Sequence, residues 1–453
     1  MQGRFCNRYH CGPSAPAQVR NPSLDVKDSG RERDPKSNSL WRGQEKRMMR
    51  RPEVQIENPG PNIREPSVNS GAPMHRSCLL VVLAFFCFTL PTYAQGATAR
   101  TVHTYYVAAD EVDWNYTPLG IDNMMGMEFT GYSKVFTERG PHRIGSTYRK
   151  ALYREYTDET FTKLQPRLPE WEHLGMLGPV LRAEVGDTIR VVFKNNATHP
   201  FTMHPHGVFY AKDSEGAGYD DGTSGADKMG VPPGKTHIYT WEVPERAGPG
   251  PNDPSSVVWL YHSHADEPKD VESGLVGVII ISRKGTAGPT GRPKDVDREF
   301  VNLFMIVDEN TSWYLQHNID TYTSDPKGVV KLENFPSDHL GNYNLFGSGF
   351  AFANFRSSIN GFMYGNLPML TMKKGERVRW YVVTIGEGLN LHTPHWHGNV
   401  VLQGGKRTDV IFIGPAQMET VDMIPDDPGI WMYHCHFDDH MQAGMMARYQ
   451  VGP

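Results

Sequence analysis

His434-Cys435-His436-Phe-Asp-Asp-His440-Met-Gln-Ala-Gly-Met445 places one cysteine between two histidines close to the C-terminus. A Cys thiolate with two His ligands and a weak axial Met is the ligand set of a blue, electron-transferring type 1 copper site. Cys435, His440 and Met445 could supply three of these ligands, so the second His must come from elsewhere. On an extended strand, His434 and His436 point away from the face that carries Cys435. They are therefore available to bind other metal ions on the far side.

Histidines recur in three further clusters, which are His204-Pro-His206-Gly, His262-Ser-His264 and His392-Thr-Pro-His395-Trp-His397-Gly. Together with the C-terminal segment, these clusters hold ten of the 19 histidines of the chain. A lone histidine, such as His317, is usually a surface residue or a hydrogen-bonded core residue. Repeated His-x-His units with a cysteine inside the last one indicate instead a set of metal ligands.

The N-terminal region does not resemble a folded domain. Residues 1–73 are rich in Arg, Pro, Asn and Ser without a sustained apolar period, which predicts a disordered leader or a wrongly placed start. Residues 74–94 contain a short charged start and an apolar run from Leu79 to Leu90, as in a secretory signal peptide. That run is too short to span a bilayer, and no later run could do so. We expect a mature chain that is exported, periplasmic or extracellular, with no membrane span.

Cysteine usage agrees with a metal-binding role for Cys435. The other four cysteines lie before residue 95, so the mature chain keeps one and can form no internal disulfide. A free cysteine is ordinarily a buried, inert thiol. The position of Cys435 between two histidines at ligand spacing favours the metal-binding interpretation.

The charge of the mature chain argues against nucleic acid as a partner. From residue 95 onward, 32 Lys and Arg residues stand against 43 Asp and Glu residues, which gives a net charge of −11 with His neutral. Such an acidic surface tolerates neutral or cationic substrates better than a polyanion.

Strand signals dominate the mature chain. The segments are short, β-branched or aromatic, and separated by Gly, Pro, Asn and Asp; examples are Thr188–Phe193, His237–Trp241, Val276–Ile281, Arg377–Val383 and Val410–Ile413. This pattern predicts antiparallel β-sandwiches rather than alternating strands and helices.

The mature chain also repeats itself. Residues 180–281 and 370–451 each run from a strand to a His-x-His-Gly motif, then to a Trp-x-Tyr-His-x-His motif. We therefore expect two copies of one domain, at residues 95–282 and 296–453, joined by a linker at residues 283–295.

The two copies differ at the type 1 positions. In an alignment of the two copies, the four type 1 positions of the second copy correspond to residues of other types in the first. The pairs are His392 with Phe201, Cys435 with Ser263, His440 with Pro268 and Met445 with Leu275. The first domain is thus predicted to keep its paired histidines but to have no type 1 copper.

These four histidine motifs resemble the copper-binding segments of multicopper oxidases, and the mature chain resembles the ceruloplasmin and hephaestin branch of that family. The likeness covers residues 103–451 and extends to segments without ligands, including Tyr156-Thr-Asp-Glu-Thr-Phe161, Val307-Asp-Glu-Asn310 and Ile359-Asn-Gly361. The resemblance implies an all-β fold of two cupredoxin-like (plastocyanin-like) Greek-key β-sandwich domains.

The resemblance also implies a role for each ligand. The type 1 ligands would be His392, Cys435, His440 and Met445, of which His392, Cys435 and His440 are the candidate catalytic residues. The type 2 ligands would be His204 and His395. The type 3 ligands would be His206, His262, His264, His397, His434 and His436. Each chain would bind four coppers, one of type 1, one of type 2 and two of type 3.

The family pattern further implies a reaction and an assembly. Electrons taken singly from a reducing substrate at the type 1 copper would reduce O₂ to water at a trinuclear cluster. Four cluster histidines come from each domain. In two-domain relatives with this layout, the domains that meet belong to different subunits, so a homotrimer is expected.

The substrate is less narrowly defined. Asp438 and Asp439 lie beside His440 and would attract a cation, and Asp439 matches an acid of the family's iron site. The other iron-site positions hold Phe352, Ser357 and Gly388, with Glu387 one position away from the last. One oxygen ligand is too few to hold a hard cation selectively. We therefore rank laccase-like oxidation of phenols, aromatic amines or metal ions above a dedicated ferroxidase.

Two other classes fit less well. A copper nitrite reductase shares the sandwiches and the trimer, but its family carries the type 1 Cys in the first domain with a single adjacent His ligand. A non-enzymatic copper-binding protein would be expected to lose cluster ligands, and all eight cluster histidines are present.

Overall fold

The computed structural model describes residues 100–222, 230–329 and 349–453. These residues belong to one compact unit. The predicted leader at residues 1–73 and the predicted signal peptide at residues 74–94 lie outside the described residues. No helix in the described ranges is long and apolar enough to cross a membrane.

The first half of the described chain consists mainly of short strands. They are β1 (Val102–Asn115), β2 (Thr147–Tyr156), β3 (Val180–Glu184), β4 (Thr188–Asn195), β5 (His204–Pro205), β6 (Phe209–Tyr210), β7 (Thr236–Glu242), β8 (Ser256–His262) and β9 (Val276–Ser282). Two short helices accompany them, α1 (Ser133–Thr137) and α2 (Glu267–Glu272).

The second half repeats this organisation. Its strands are β10 (Arg298–Asp308), β11 (Phe355–Ile359), β12 (Leu370–Lys373), β13 (Val378–Val383), β14 (Pro394–Trp396), β15 (Val401–Gln403), β16 (Lys406–Thr408), β17 (Met418–Met423), β18 (Gly429–Cys435) and β19 (Met446–Gly452). Its helices are α3 (Leu315–Tyr322), α4 (Gly349–Ala353) and α5 (Asp438–Gln442).

Each half folds into two sheets. In the first half the sheet orders are β2-β1-β4-β7-β6 and β3-β9-β8-β5, and in the second half they are β11-β10-β13-β17-β15-β16 and β12-β19-β18-β14. Parallel pairs such as β1 with β4 and β10 with β13 join strands that are not consecutive in the chain. The predicted fold class, all-β with two cupredoxin-like sandwiches, is confirmed.

Four of the five strand segments predicted from sequence lie in β4, β7, β9 and β13. The prediction for Val410–Ile413 was wrong, because this segment forms only isolated bridges, with His395 and His392. Its neighbour contains Pro394, which has no N–H to donate, so the ladder cannot run continuously here. The segment still alternates, with Ile411 and Ile413 buried and Phe412 exposed.

The predicted alignment of the two copies is confirmed by matching hydrogen bonds. The Thr202 N–H donates to Ser263 Oγ at 3.0 Å, and the Thr393 N–H donates to Cys435 Sγ at 3.4 Å. Likewise the Ser263 N–H donates to the carbonyl of Leu275, as that of Cys435 does to Met445, each at 3.2 Å. One backbone frame therefore holds a hydroxyl in the first copy and a thiol in the second.

The two sandwiches share a hydrophobic core and a buried ion pair. Strands β8 and β9 of the first and β10 and β13 of the second contribute to one apolar cluster. Beside it, Lys150 Nζ of β2 lies 2.7 Å from Glu309 Oε1, and both side chains are fully buried. Lys150 also donates to the Glu272 carbonyl, and the Tyr116 hydroxyl donates to Glu309.

Removing one partner of this pair should destabilise the protein strongly. We expect Lys150→Met to lower the free energy of unfolding by about 3–5 kcal/mol, because it leaves the Glu309 carboxylate buried without a counter-charge. Lys269→Met, at a surface pair with Asp266, is the matched control and should cost at most about 1 kcal/mol. Denaturant unfolding measures both, and equal effects would contradict the prediction.

Candidate metal centres

The side chains at the C-terminal end of β18 alternate between two faces of the strand. Tyr433 and Cys435 point into the core of the second sandwich, where Met445 is also buried. His434 lies between them in sequence and therefore on the opposite face of the strand. A single peptide bond thus separates a buried thiol from a histidine that belongs to a different cluster.

Two imidazoles face the Cys435 thiol. His392 Nδ1 lies 3.8 Å from Cys435 Sγ, and His440 Nδ1 lies 3.6 Å from it. The two histidines reach the sulfur from different elements, His392 from the segment before β14 and His440 from α5. This geometry brings together three of the four predicted type 1 ligands, with Met445 in the same core cluster.

Burial sets the electrostatics of this group. Burial, with a smaller effect of His440, lowers the pKa of His392 to about 3, so its imidazole is neutral at physiological pH. Burial likewise raises the pKa of the Cys435 thiol. A metal ion would therefore meet an imidazole ready to bind, but would have to displace the thiol proton.

A second group forms in the first sandwich, where β5 pairs with β8 and sets His204 opposite His262. His206 Nε2 and His262 Nε2 lie 3.1 Å apart, and His204 completes the group. His264 lies two residues after the end of β8, and its ring centroid lies 5.2 Å from that of His204.

The second sandwich repeats this group. Strand β14 pairs with β18 and sets His395 opposite His434. His397 Nε2 and His434 Nε2 lie 3.0 Å apart, and the ring centroids of His395 and His436 lie 5.3 Å apart. All eight histidines predicted for the trinuclear cluster thus fall into two groups of four.

Backbone carbonyls determine which nitrogen of these rings can bind metal. His204 Nδ1 contacts the Glu215 carbonyl at 2.7 Å, and His395 Nδ1 contacts the Asp409 carbonyl at 2.9 Å. A carbonyl only accepts, so each Nδ1 carries the proton and each Nε2 keeps a lone pair. The same holds for His434, whose Nδ1 donates to the Cys435 carbonyl. An imidazole that keeps its Nε2 lone pair is a suitable ligand for copper.

His264 departs from this pattern. Its Nε2 lies 3.0 Å from Glu267 Oε2, and this contact raises the pKa of His264 and lowers that of Glu267 to about 2. His264 does not belong to the tight group formed by His204, His206 and His262. His436, its counterpart in the second sandwich, is exposed.

Within one chain the two groups of four stay apart. Ring contacts connect the histidines inside each group, and across the described ranges none connects a histidine of one group to a histidine of the other. Most of these rings are only partly buried. Each group of four histidines is thus partly open to solvent.

Sequence reasoning found the ligand candidates but missed the residues that orient them. Asn390, whose side-chain oxygen lies 3.1 Å from His392 Nε2, carries no motif of its own, and neither do Glu267 or the carbonyls of Glu215 and Asp409. Only the folded chain reveals these contacts. Asp439 lies at the exposed start of α5, where its Oδ1 accepts a bond from the His440 N–H.

Multicopper oxidase family models match residues 174–286 and 334–453. The chain is 43% identical over 372 residues to the Homo sapiens protein named Ferroxidase HEPHL1, covering 81% of this chain and 31% of that protein. It is 39% identical over 353 residues to Homo sapiens ceruloplasmin, covering 77% and 30%. The chain therefore spans less than a third of the length of these relatives.

A solved structure is similar as well. A crystal structure of a multicopper oxidase aligns with 78% of this chain and 90% of its own, with 18% sequence identity and a TM-score of 0.47.

Burial should be visible in the titration of individual histidines. In copper-free protein, the imidazoles of His392 and His434 should stay neutral down to a pH near their pKa values of about 3 and about 4. His264 should titrate above the usual pKa of about 6.5, because Glu267 stabilises its charged form. Proton NMR of the ring resonances against pH measures each pKa, and His392 titrating near pH 6.5 would contradict the argument.

Proposed function

The chain belongs to the multicopper oxidase family, and from this premise we propose that it couples one-electron oxidation of a reducing substrate to the four-electron reduction of O₂ to water. The observation that carries the proposal is the junction at Cys435. Its thiol faces two Nδ1 atoms on one side of β18, and the neighbouring His434 belongs to a four-histidine group on the other side.

The proposed ligands are those of the family pattern. His392, Cys435, His440 and Met445 would hold the type 1 copper, His204 and His395 the type 2 copper, and His206, His262, His264, His397, His434 and His436 the type 3 pair. When bound, the type 1 copper would accept substrate electrons singly, and the three cluster coppers would reduce O₂.

The residues of the chain prepare these sites. Cys435 connects the two ligand sets covalently, because His434 and His436 are its immediate neighbours in the chain. The Thr393 N–H donates to the Cys435 sulfur, which would stabilise a thiolate there. The carbonyls of Glu215 and Asp409 hold two imidazoles in the tautomer that presents Nε2.

The assembly proposed here is a homotrimer with trinuclear sites between subunits. Each group of four histidines would form one half-site, because within the described ranges no ring contact joins the two groups and most of their imidazoles are partly exposed. Pairing the first-domain half of one subunit with the second-domain half of the next would complete three sites in a closed ring.

For the substrate we propose broad oxidation of phenols, aromatic amines or metal ions. Asp439 beside His440 would attract cations, but the remaining iron-site positions of the family hold Phe352, Ser357 and Gly388. Dedicated ferroxidase activity is the competing proposal, and the name of the relative Ferroxidase HEPHL1 favours it.

We also propose the domain limits, residues 95–282 and 296–453 with a linker at 283–295, and export of the mature chain to the periplasm or the outside of the cell.

Copper-loaded protein should contain four coppers per chain and show an intense blue band. Cys435→Ser should abolish the blue band, lose one copper per chain and reduce oxidase activity to background, because a hydroxyl cannot replace the thiolate. Visible and electron-spin spectra with a metal count measure this. The control is Ser263→Ala at the equivalent position of the first copy, which should keep the blue band. One or two coppers per wild-type chain would contradict the proposal.

Subunit complementation tests where the trinuclear site lies. His206→Ala and His397→Ala each disable a different half-site, so either variant alone should be inactive. Co-assembled in equal amounts, they should recover roughly a quarter of wild-type activity, the share of random interfaces with two intact halves. Light scattering should give three subunits. An active, fully loaded monomer would contradict the trimer.

Substrate range separates the two competing proposals. Turnover of Fe(II) and of a substituted phenol should be comparable, and Asp439→Asn should weaken Fe(II) oxidation while leaving phenol oxidation nearly unchanged, because only the cation gains from the carboxylate. Steady-state kinetics with both substrates measure this. A strong saturable preference for Fe(II) would favour the dedicated ferroxidase.

A further inference from the structure

We propose that Asn390 is the positioning residue of the type 1 site, since its side-chain oxygen holds His392 in the tautomer and orientation that aim Nδ1 at Cys435. The inference rests on the proposed function, because it treats His392 as a copper ligand. No sequence motif marks Asn390.

The orientation of the Asn390 amide follows from its partners. The Ile306 N–H donates to Asn390 Oδ1 at 2.7 Å, and a backbone N–H can only donate, so this atom must be the oxygen. The Asn390 nitrogen lies on the side of the Ile306 carbonyl, at 3.4 Å. Both ends of the amide thus have suitable partners on the backbone of β10. If the amide were flipped, its NH₂ group would face the Ile306 N–H and its oxygen would face the Ile306 carbonyl.

The tautomer of His392 follows in turn. His392 Nε2 lies 3.1 Å from the same Asn390 oxygen. Since that oxygen accepts, Nε2 must carry the proton, and the lone pair is left on Nδ1, which faces Cys435 Sγ. A chain of hydrogen bonds therefore runs from the backbone of β10 through Asn390 to the metal-binding nitrogen.

Burial makes this arrangement hard to replace. His392 is fully buried and Asn390 is 1% exposed, so no bulk water is available to take the place of the amide. The first copy, which lacks the type 1 ligand set, has His199 at the position aligned with Asn390 and Phe201 at that of His392. The first copy therefore lacks both the residue equivalent to Asn390 and the residue equivalent to His392.

Gly386 lies against the Asn390 amide. A Cβ atom at Gly386 would lie 2.6 Å from Asn390 Nδ2, and the backbone there has a φ of +109° that disfavours other residues. A side chain at this position would push the amide out of place. Gly386 thus offers a way to disturb Asn390 without changing it.

The decisive variants are Asn390→Leu and Asn390→Asp. Leucine removes the acceptor, so copper-free Asn390→Leu should lose the single Nε2-protonated form of His392, and type 1 copper affinity should fall roughly 10–100-fold. Aspartate keeps an acceptor and should keep the tautomer and the blue band. Nitrogen-15 NMR of the His392 ring in copper-free protein and the type 1 spectrum measure the two effects.

The matched control is Asn302→Leu. Asn302 is a buried asparagine on β10 whose side-chain N and O have no hydrogen-bond partner in the described structure, so this variant should leave the His392 tautomer and the blue band unchanged. If Asn390→Leu fails to fold, Gly386→Ala provides the same readouts and should shift the His392 ring signals and the type 1 spectrum.

The outcomes distinguish this inference from the proposed function. A wild-type protein without a blue band would overturn the proposed function. A blue wild type combined with an unaltered His392 tautomer and type 1 spectrum in Asn390→Leu, or in Gly386→Ala where that variant is used, would overturn the role of Asn390 alone.

Discussion

The alternation of side chains along β18 is the constraint on which the rest of this structure depends. Because successive residues of a strand point to opposite faces, Cys435 enters the core of the second sandwich while His434 lies against His397 on the other face. The strand cannot slip by one residue without burying a histidine in the core and exposing the thiol. The register of β18 therefore keeps the thiol of Cys435 and the imidazole of His434, which belong to two different proposed ligand sets, one peptide bond apart.

Around that strand, backbone groups determine ring chemistry. Carbonyls that accept from Nδ1 leave Nε2 for metal at His204, His395 and His434. At His392 the oxygen of Asn390 accepts from Nε2 and leaves Nδ1. The same residue type thus presents different nitrogens at the two kinds of proposed site, and the difference arises from neighbours rather than from the histidines.

The internal repeat explains why the two domains are not equivalent. The hydrogen bond from the Thr202 N–H to Ser263 corresponds to that from the Thr393 N–H to Cys435. In the first copy Asp270 accepts from the Ser263 hydroxyl and from two backbone N–H groups. A hydrogen-bond network around Asp270 therefore occupies the place where the second copy assembles a thiol and two imidazoles.

The sequence alone was sufficient to predict the all-β fold, the two copies and the ten clustered histidines, because strand periodicity and ligand spacing are local properties of the chain. It failed at Val410–Ile413, where β propensity was correct but Pro394 in the neighbouring segment interrupts the ladder. Only the tertiary structure showed that His392 and His440 converge on Cys435, that the cluster histidines form two separate groups of four, and that the Asn390 oxygen lies 3.1 Å from His392 Nε2. These are contacts between segments distant in sequence, and the backbone groups that create them belong to residues whose side chains carry no signal of their role.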